Sequence, residues 1–165
     1  MISPSFREAV ISDIPAIQSI RNSVTENLIL DPLLISDEHC SEYLETKGKG
    51  WICEVDGFPV GFAIADLQGK SVWALFVRPE FEKRGIGKKL HTLMLNWYFS
   101  QSNEQLWLST EESSRADVFY CMNGWTSVGM PNEDMVEFKM TPENWAKQSI
   151  LADDNMETEN ICENI

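Results

Sequence analysis

The chain has 165 residues, 43% of them hydrophobic, enough for one domain with a real core and too few for two comfortable ones. Its formal net charge is −13, which disfavours nucleic acid and anionic membrane as partners, because both demand clustered Lys and Arg. A cationic or amine-bearing partner suits this surface better.

Five of the excess acids lie in the last stretch, "ADDNMETENICENI", which has no Lys or Arg, so the body before it still carries −8. Cys40, Cys53, Cys121 and Cys162 are widely spaced, without a C-x-x-C pair or a Cys/His cluster of zinc spacing. They read as reduced thiols, and no metal site is expected. The start "MISPSFREAV" has no charged-then-apolar signal pattern, and no apolar run approaches the roughly 20 residues of a membrane span. A soluble cytoplasmic protein is the expectation.

In chain order, "FREAVI" predicts a first strand. With Ser12 as candidate N-cap, Ile14, Ile17, Ile20 and Val24 recur near helical spacing, and Pro15 is tolerated in a first turn. The run "ENLILDPLLIS" breaks at Asp31-Pro32, and Ser36 caps a second short helix ending near Gly48. "GWICEV", the turn Asp56-Gly57 and "PVGFAIADL" predict a hairpin, which Gln68-Gly69 extends into "SVWALFVR".

From Ile86 the positions Leu90, Leu93, Met94, Trp97 and Tyr98 form an apolar helical stripe, and "QLWLST" follows as a buried strand. Strand, helix and strand in that order make a parallel crossover. "SSRADVFYCMNGW" predicts a helix closed by Gly124, and "TSVGM" with "MVEFKM" a closing hairpin. After Thr141-Pro142 the pattern decays. The expectation is one domain over residues 1–146, a mixed α/β sheet with helices on both faces, and a flexible acidic tail over 147–165.

Four of the thirteen basic residues lie between Lys83 and Lys89, in "FEKRGIGKKL", where a buried strand meets a helix N-terminus. Unpaired N–H groups and the helix dipole favour an anion there, and Gly85 and Gly87 let a phosphate approach the backbone. A Walker loop is absent, and the dinucleotide fingerprint fails because Leu90 stands three residues beyond Gly87. ATP and NAD are thereby demoted, while a plain glycine turn with solvated lysines stays open.

The segment "LFVRPEFEKRGIGKKLHTLML" resembles the core motif of the GNAT superfamily of N-acetyltransferases, and "RADVFYCMNGW" resembles its second signature, A-x-x-F-Y-x-x-x-G-[FW]. The resemblance covers roughly residues 50–140. Two positions depart from it: Glu82 stands where the family usually has Gln or Arg, and Ser113 where it often has Asn. The resemblance implies the GNAT fold, with about seven mixed strands and about four helices, and acetyl-CoA as co-substrate.

On that footing the N–H groups of Lys83, Arg84, Gly85, Ile86, Gly87 and Lys88 cradle a pyrophosphate, and Ser113 joins the cofactor contacts. Leu75, Phe76 and Val77 offer a strand edge to the pantetheine amides, freed because their strand and "LWLST" splay apart. Tyr120 matches the family tyrosine that protonates the departing thiolate, a role suited to a neutral phenol. Attack on a thioester also needs a neutral amine, so a base is required; Glu111, Asp66 and Glu54 are the candidates, with Glu111 preferred.

Asn27 and Asp31, in the segment that varies among family members, and Asp66 are the expected substrate contacts. His39 and His91 have no partner at metal spacing and read as satisfied or solvent-facing, and Trp51, Trp73 and Trp107 as packing residues. The expected activity is transfer of an acetyl group to a primary amine of a small molecule or peptide, within a possible homodimer. A non-catalytic acyl-CoA-binding module is the alternative.

Overall fold

A computed structural model describes residues 3–24, 36–132 and 134–154. Within these residues seven strands form one sheet in the order β1-β2-β3-β4-β5-β7-β6, with β4 and β5 parallel and the other neighbours antiparallel. The strands are β1 (Pro4–Glu8), β2 (Gly48–Val55), β3 (Phe58–Asp66), β4 (Ser71–Val77), β5 (Leu106–Glu111), β6 (Thr126–Asn132) and β7 (Met135–Met140). Among the described residues five helices flank it: α1 (Ile14–Ser23), α2 (Asp37–Glu42), α3 (Ile86–Gln101), α4 (Arg115–Met122) and α5 (Pro142–Asp154). The mixed α/β architecture expected from the sequence is the one observed.

Local chemistry accounts for the joins. Asp56 and Gly57 take φ of 51° and 79°, the left-handed pair of a tight hairpin between β2 and β3. Ser36 caps α2 by accepting a hydrogen bond from the His39 N–H at 3.2 Å, and a π-helical turn over Tyr43–Lys47 carries the chain into β2. At α1 the expectation is corrected. Ser12 lies inside a 3-10 turn, Ile11–Asp13, and Asp13 Oδ2 instead accepts from the Val10 N–H at 2.8 Å while its two carboxylate oxygens hold Arg7 at 2.7 Å.

Strand alternation sends the core to both faces. Trp51, Cys53 and Val55 of β2 face Leu90, Met94 and Tyr98 of α3, whereas Ile52, Phe62 and Ile64 face Ile14, Ile17 and Ile20 of α1. Cys40 and Cys53 are buried free thiols, Cys121 is exposed and free, and Cys162 lies outside the described residues.

The C-terminal helix is the main departure. It runs past residue 146, where the sequence suggested that the ordered domain ends. Its start was nonetheless written in Thr141-Pro142: the Thr141 hydroxyl accepts from the Asn144 N–H at 3.1 Å, and a proline suits a first turn. The Asn144 side-chain amide donates to the Gly124 carbonyl at 2.6 Å and the Trp145 indole to Asn96 Oδ1 at 3.0 Å, which dock α5 on α3 and the end of α4. Among the described residues no helix is long and apolar enough to cross a membrane, and no group of three metal-ligating side chains forms.

Candidate active site

The site begins where the sheet fails to zip. Strand β5 pairs with β7 from Leu106 to Glu111, and β4 with β3 from Val77 back to Ser71. Between β4 and β5 Ser71 pairs opposite Trp107, supported by the Trp107 N–H donating to the Lys70 carbonyl at 2.9 Å. Beyond it the two strands diverge, opening a wedge whose wide end lies at Val77 and Glu111.

Two cavities occupy the wedge. A cleft of about 580 Å³ is lined by Leu75, Phe76 and Val77, by Lys83, Ile86 and Gly87, and by Ser113 and the first turns of α4. A second cavity of about 380 Å³ is lined by Trp73, Leu108, Thr110, Glu111 and Met135, with Arg21 from α1. Leu75, Phe76, Ala116 and Tyr120 line both. A molecule in one would meet a molecule in the other at these four residues.

The loop from β4 to α3 is built to leave backbone accessible. After a 3-10 turn over Pro79–Phe81, Lys83 takes φ of +63° and Gly85 φ of +78°, so left-handed residues alternate just before the first turn of α3. Such a turn gathers N–H groups into an anion-binding concavity, and no side chain caps α3 there. A Cβ at Gly85 would meet nothing within 4 Å, and one at Gly87 would come no nearer than 3.7 Å to Val77. At Gly87 protein packing therefore does not demand glycine; a Cβ would instead project into the cleft that this residue lines.

Of the residues assigned to the cofactor from sequence, Leu75, Phe76, Val77, Lys83, Ile86, Gly87 and Ser113 line the larger cleft. Arg84, Gly85 and Lys88 do not: Arg84 stacks over the Phe81 ring at 5.2 Å, Gly85 makes the turn, and Lys88 lies in the first turn of α3. Glu82 also lines the cleft, where its carboxylate forms an ion pair with Arg115, the first residue of α4.

The β5–α4 turn orients the catalytic candidate. Ser113, at φ of +62°, donates its N–H to Asp117 Oδ2 at 2.7 Å. Ser114 Oγ accepts from the Asp117 N–H at 3.2 Å and donates to the Glu111 carbonyl at 2.7 Å. These caps fix the first turn of α4, and Ala116 and Tyr120, four residues apart on one helix face, both reach the wedge. Tyr120 is 6% exposed and packs against Phe119, Trp125 and Phe138 at 5.3, 5.4 and 6.1 Å between ring centroids. Burial pushes its phenol well above the usual 10, so the group is neutral at physiological pH.

His91 takes the satisfied of its two expected states: it is 1% exposed, ringed by Phe119, Tyr120, Trp125 and Trp145. The unanticipated α5 supplies Trp145 and so covers what looked like a solvent face. His91 Nε2 accepts from the Trp125 indole N–H at 2.8 Å, and burial, with a smaller push from Lys88, lowers its pKa to about 3. The imidazole is neutral and acts as an acceptor within the wall behind Tyr120.

The acids separate by position. Glu111 ends β5 and lines the second cavity. Glu54 accepts from Arg7 Nε at 2.7 Å on the β1–β2 side of the sheet. Asp66 lies at the closed end of the wedge, opposite Ser71, with its Oδ1 accepting from the Gly69 N–H at 2.8 Å in the β3–β4 turn. It lines neither cavity, so Asp66→Ala is expected to cost about 1 kcal/mol of stability in urea while leaving ligand affinity within twofold by calorimetry. Asn27 and Asp31 lie outside the described residues.

Sequence reasoning missed Arg21. It is 4% exposed, with its guanidinium 4.9 Å from the Phe76 ring centre, and burial lowers its pKa. It was hidden because a helical arginine reads as solvated. His39 is exposed, Trp51 packs edge-on against Trp97 at 5.7 Å, and Trp73 stacks on Tyr43 at 4.2 Å while also lining the second cavity.

Comparison with known proteins fits this geometry. Among solved structures, the PaiA N-acetyltransferase from Thermoplasma acidophilum in complex with coenzyme A superposes with a TM-score of 0.72 at 14% identity, covering 84% of this chain and 99% of that one. A putative acetyltransferase from Salmonella typhimurium with its cofactor acetyl-CoA gives 0.69 at 17% identity, covering 84% and 94%. The ribosomal-protein-S18-alanine N-acetyltransferase from Escherichia coli gives 0.69 at 16%, also covering 84% and 94%. These likenesses show the fold. No curated protein sequence matches significantly. The family model of the acetyltransferase (GNAT) family matches residues 15–122, a span that holds the splayed strands, the glycine loop and Tyr120, and the chain therefore belongs to that family of acetyltransferases.

Proposed function

We propose that the protein transfers the acetyl group of acetyl-CoA to a primary amine of a small molecule or peptide, by direct attack with both substrates bound. One observation carries this reading: two cavities enter the wedge and share Leu75, Phe76, Ala116 and Tyr120 as common walls. A shared wall is what direct transfer needs, since both reactants must be held in contact without an intervening enzyme-bound step.

The larger cleft suits acetyl-CoA in its parts. The backbone around Lys83 and Gly87 would take the pyrophosphate, and the unpaired edge of β4 at Leu75 to Val77 would take the amides of the pantetheine arm. When bound, the thioester supplies an acetyl group and a thiol leaving group. Tyr120 Oη holds the proton that the leaving sulfur requires, and the burial of this phenol keeps it in place at neutral pH. Glu111, at the second cavity, is the group to accept the proton that the attacking amine gives up, directly or through water. The acidic surface draws ammonium substrates toward the site.

Binding tests the reading without knowledge of the acceptor. Calorimetry is expected to show micromolar acetyl-CoA and CoA binding and no comparable ATP or NAD binding. ATP or NAD affinity with none for acetyl-CoA would return the glycine loop to another nucleotide class. With an amine that turns over, initial-rate lines that intersect are expected for direct transfer, and parallel lines would overturn it while the cofactor reading stands.

A further inference from the structure

The loop places an acid where an anion is meant to bind, and the fold supplies that acid with a partner. Glu82 sits one residue before the left-handed Lys83, lines the larger cleft, and its side chain is 24% exposed. Its carboxylate meets the guanidinium of Arg115, which also lines the cleft and whose side chain is 61% exposed. One partner comes from the loop before α3 and the other from the first turn of α4, so the pair bridges the two elements that flank the proposed phosphate position.

We propose that Arg115 is a further phosphate ligand of this cleft and that Glu82 is its built-in competitor, so that cofactor binding exchanges a carboxylate for a phosphate on one guanidinium. The inference rests on the acetyl-CoA reading. Three arguments support it. An ion pair this exposed contributes little to stability, so giving it up is cheap. A guanidinium pairs with phosphate in the same forked geometry as with carboxylate, and a CoA phosphate brings more charge. The N-terminus of α4 at Arg115 adds its dipole on the same side. Lys83 lines the cleft as well, which gives the anion positive groups from both elements.

This arrangement also explains how an acidic residue is tolerated beside an anion site. Glu82 need not be expelled into solvent at random; it neutralises Arg115 until a more highly charged group arrives. An internal competitor of this kind lowers affinity and makes binding depend on the loop–helix pair rather than on the loop alone.

A double-mutant cycle with CoA as the probe, read by calorimetry on folded full-length variants, tests it. Arg115→Gln is expected to weaken CoA binding about tenfold and to flatten its salt dependence, since one fewer cation faces the phosphates. Glu82→Gln is expected to tighten CoA about fivefold in the wild-type background and by less than twofold when Arg115 is already Gln. Circular dichroism and urea midpoints confirm that each variant is folded. Unchanged affinity in Arg115→Gln overturns the assignment. An equal gain from Glu82→Gln in both backgrounds overturns the competition, because Glu82 would then be repelling phosphate without Arg115. Absence of CoA binding by the wild-type protein overturns the cofactor reading, and this inference with it.

Discussion

Replacing Tyr120 by Phe is expected to lower turnover about 100-fold or more while leaving acetyl-CoA affinity within about twofold, the range general acids contribute. The change removes one hydroxyl from a ring that stays packed against Phe119, Trp125 and Phe138, so the shape of both cavities is kept. Turnover is read as CoA release with the best amine of a panel, and affinity by calorimetry. A fall in kcat without a rise in KM for acetyl-CoA identifies a group used only in the transition state. Unaltered kcat would remove Tyr120 from the chemistry and leave the proton to water, with the phenol as packing.

The second large effect concerns stability in acid. His91 is neutral in the folded protein, with its pKa depressed to about 3 by burial, but protonates near 6.5 once the chain unfolds. Below 6.5 the unfolded state therefore binds more protons, and stability falls as pH falls. One pKa unit corresponds to about 1.4 kcal/mol, so a loss on the order of 2–3 kcal/mol is expected between neutrality and pH 4.5. Asp13 acts in the same direction but lower: the Arg7 guanidinium holds its carboxyl below the usual 3.8, so its contribution is lost only beneath that value. Urea midpoints at pH 7.0, 5.5 and 4.5 separate the two. His91→Gln, whose amide oxygen can still accept from the Trp125 indole, is expected to be less stable than wild type at pH 7 and nearly flat over this window. A wild-type protein with no loss by pH 4.5 would mean that water reaches the imidazole.

Much of the fold was legible because period and punctuation agreed. Two apolar runs of strand length, "GWICEV" and "PVGFAIADL", separated by Asp56-Gly57, read as a hairpin with left-handed turn residues, and the Ile86 to Tyr98 stripe has one face. Where tertiary contacts decided, the reading failed. The last helix is weakly amphipathic and acidic at its end, so its anchoring by Asn144 and Trp145 could not be seen, and with it went the burial of His91. Ser12 lost the capping position because a 3-10 turn over Ile11–Asp13 takes it up before α1 begins, leaving Asp13, held by Arg7, at the helix start.

The site was legible where it is made of backbone. A left-handed turn before a helix is encoded by glycine and its neighbours, so the loop from Lys83 to Gly87 could be located from letters alone. Pairings between segments 30 or more residues apart carry no such local mark. The Glu82 and Arg115 pair and the Arg21 guanidinium over Phe76 are of this kind. Asp66 is ambiguous for the opposite reason: a carboxylate at a strand end is as useful to a turn, where it accepts from Gly69, as to a substrate.

The wedge between β4 and β5 also divides the molecule in a thermodynamic sense. Four strands, β1 to β4, make one hydrogen-bonded ladder and β5, β7 and β6 another, with Ser71 and Trp107 as a rung between them. Opening of one ladder does not have to travel through backbone bonds into the other, and cooperativity between the halves falls to side chains, with Leu90, Met94 and Tyr98 of α3 sharing a cluster with Trp51 on one half and Phe138 on the other. A co-substrate lodged in the wedge would act as mortar between two foldons, and by mass action its cellular concentration would set how tightly the halves unfold as one.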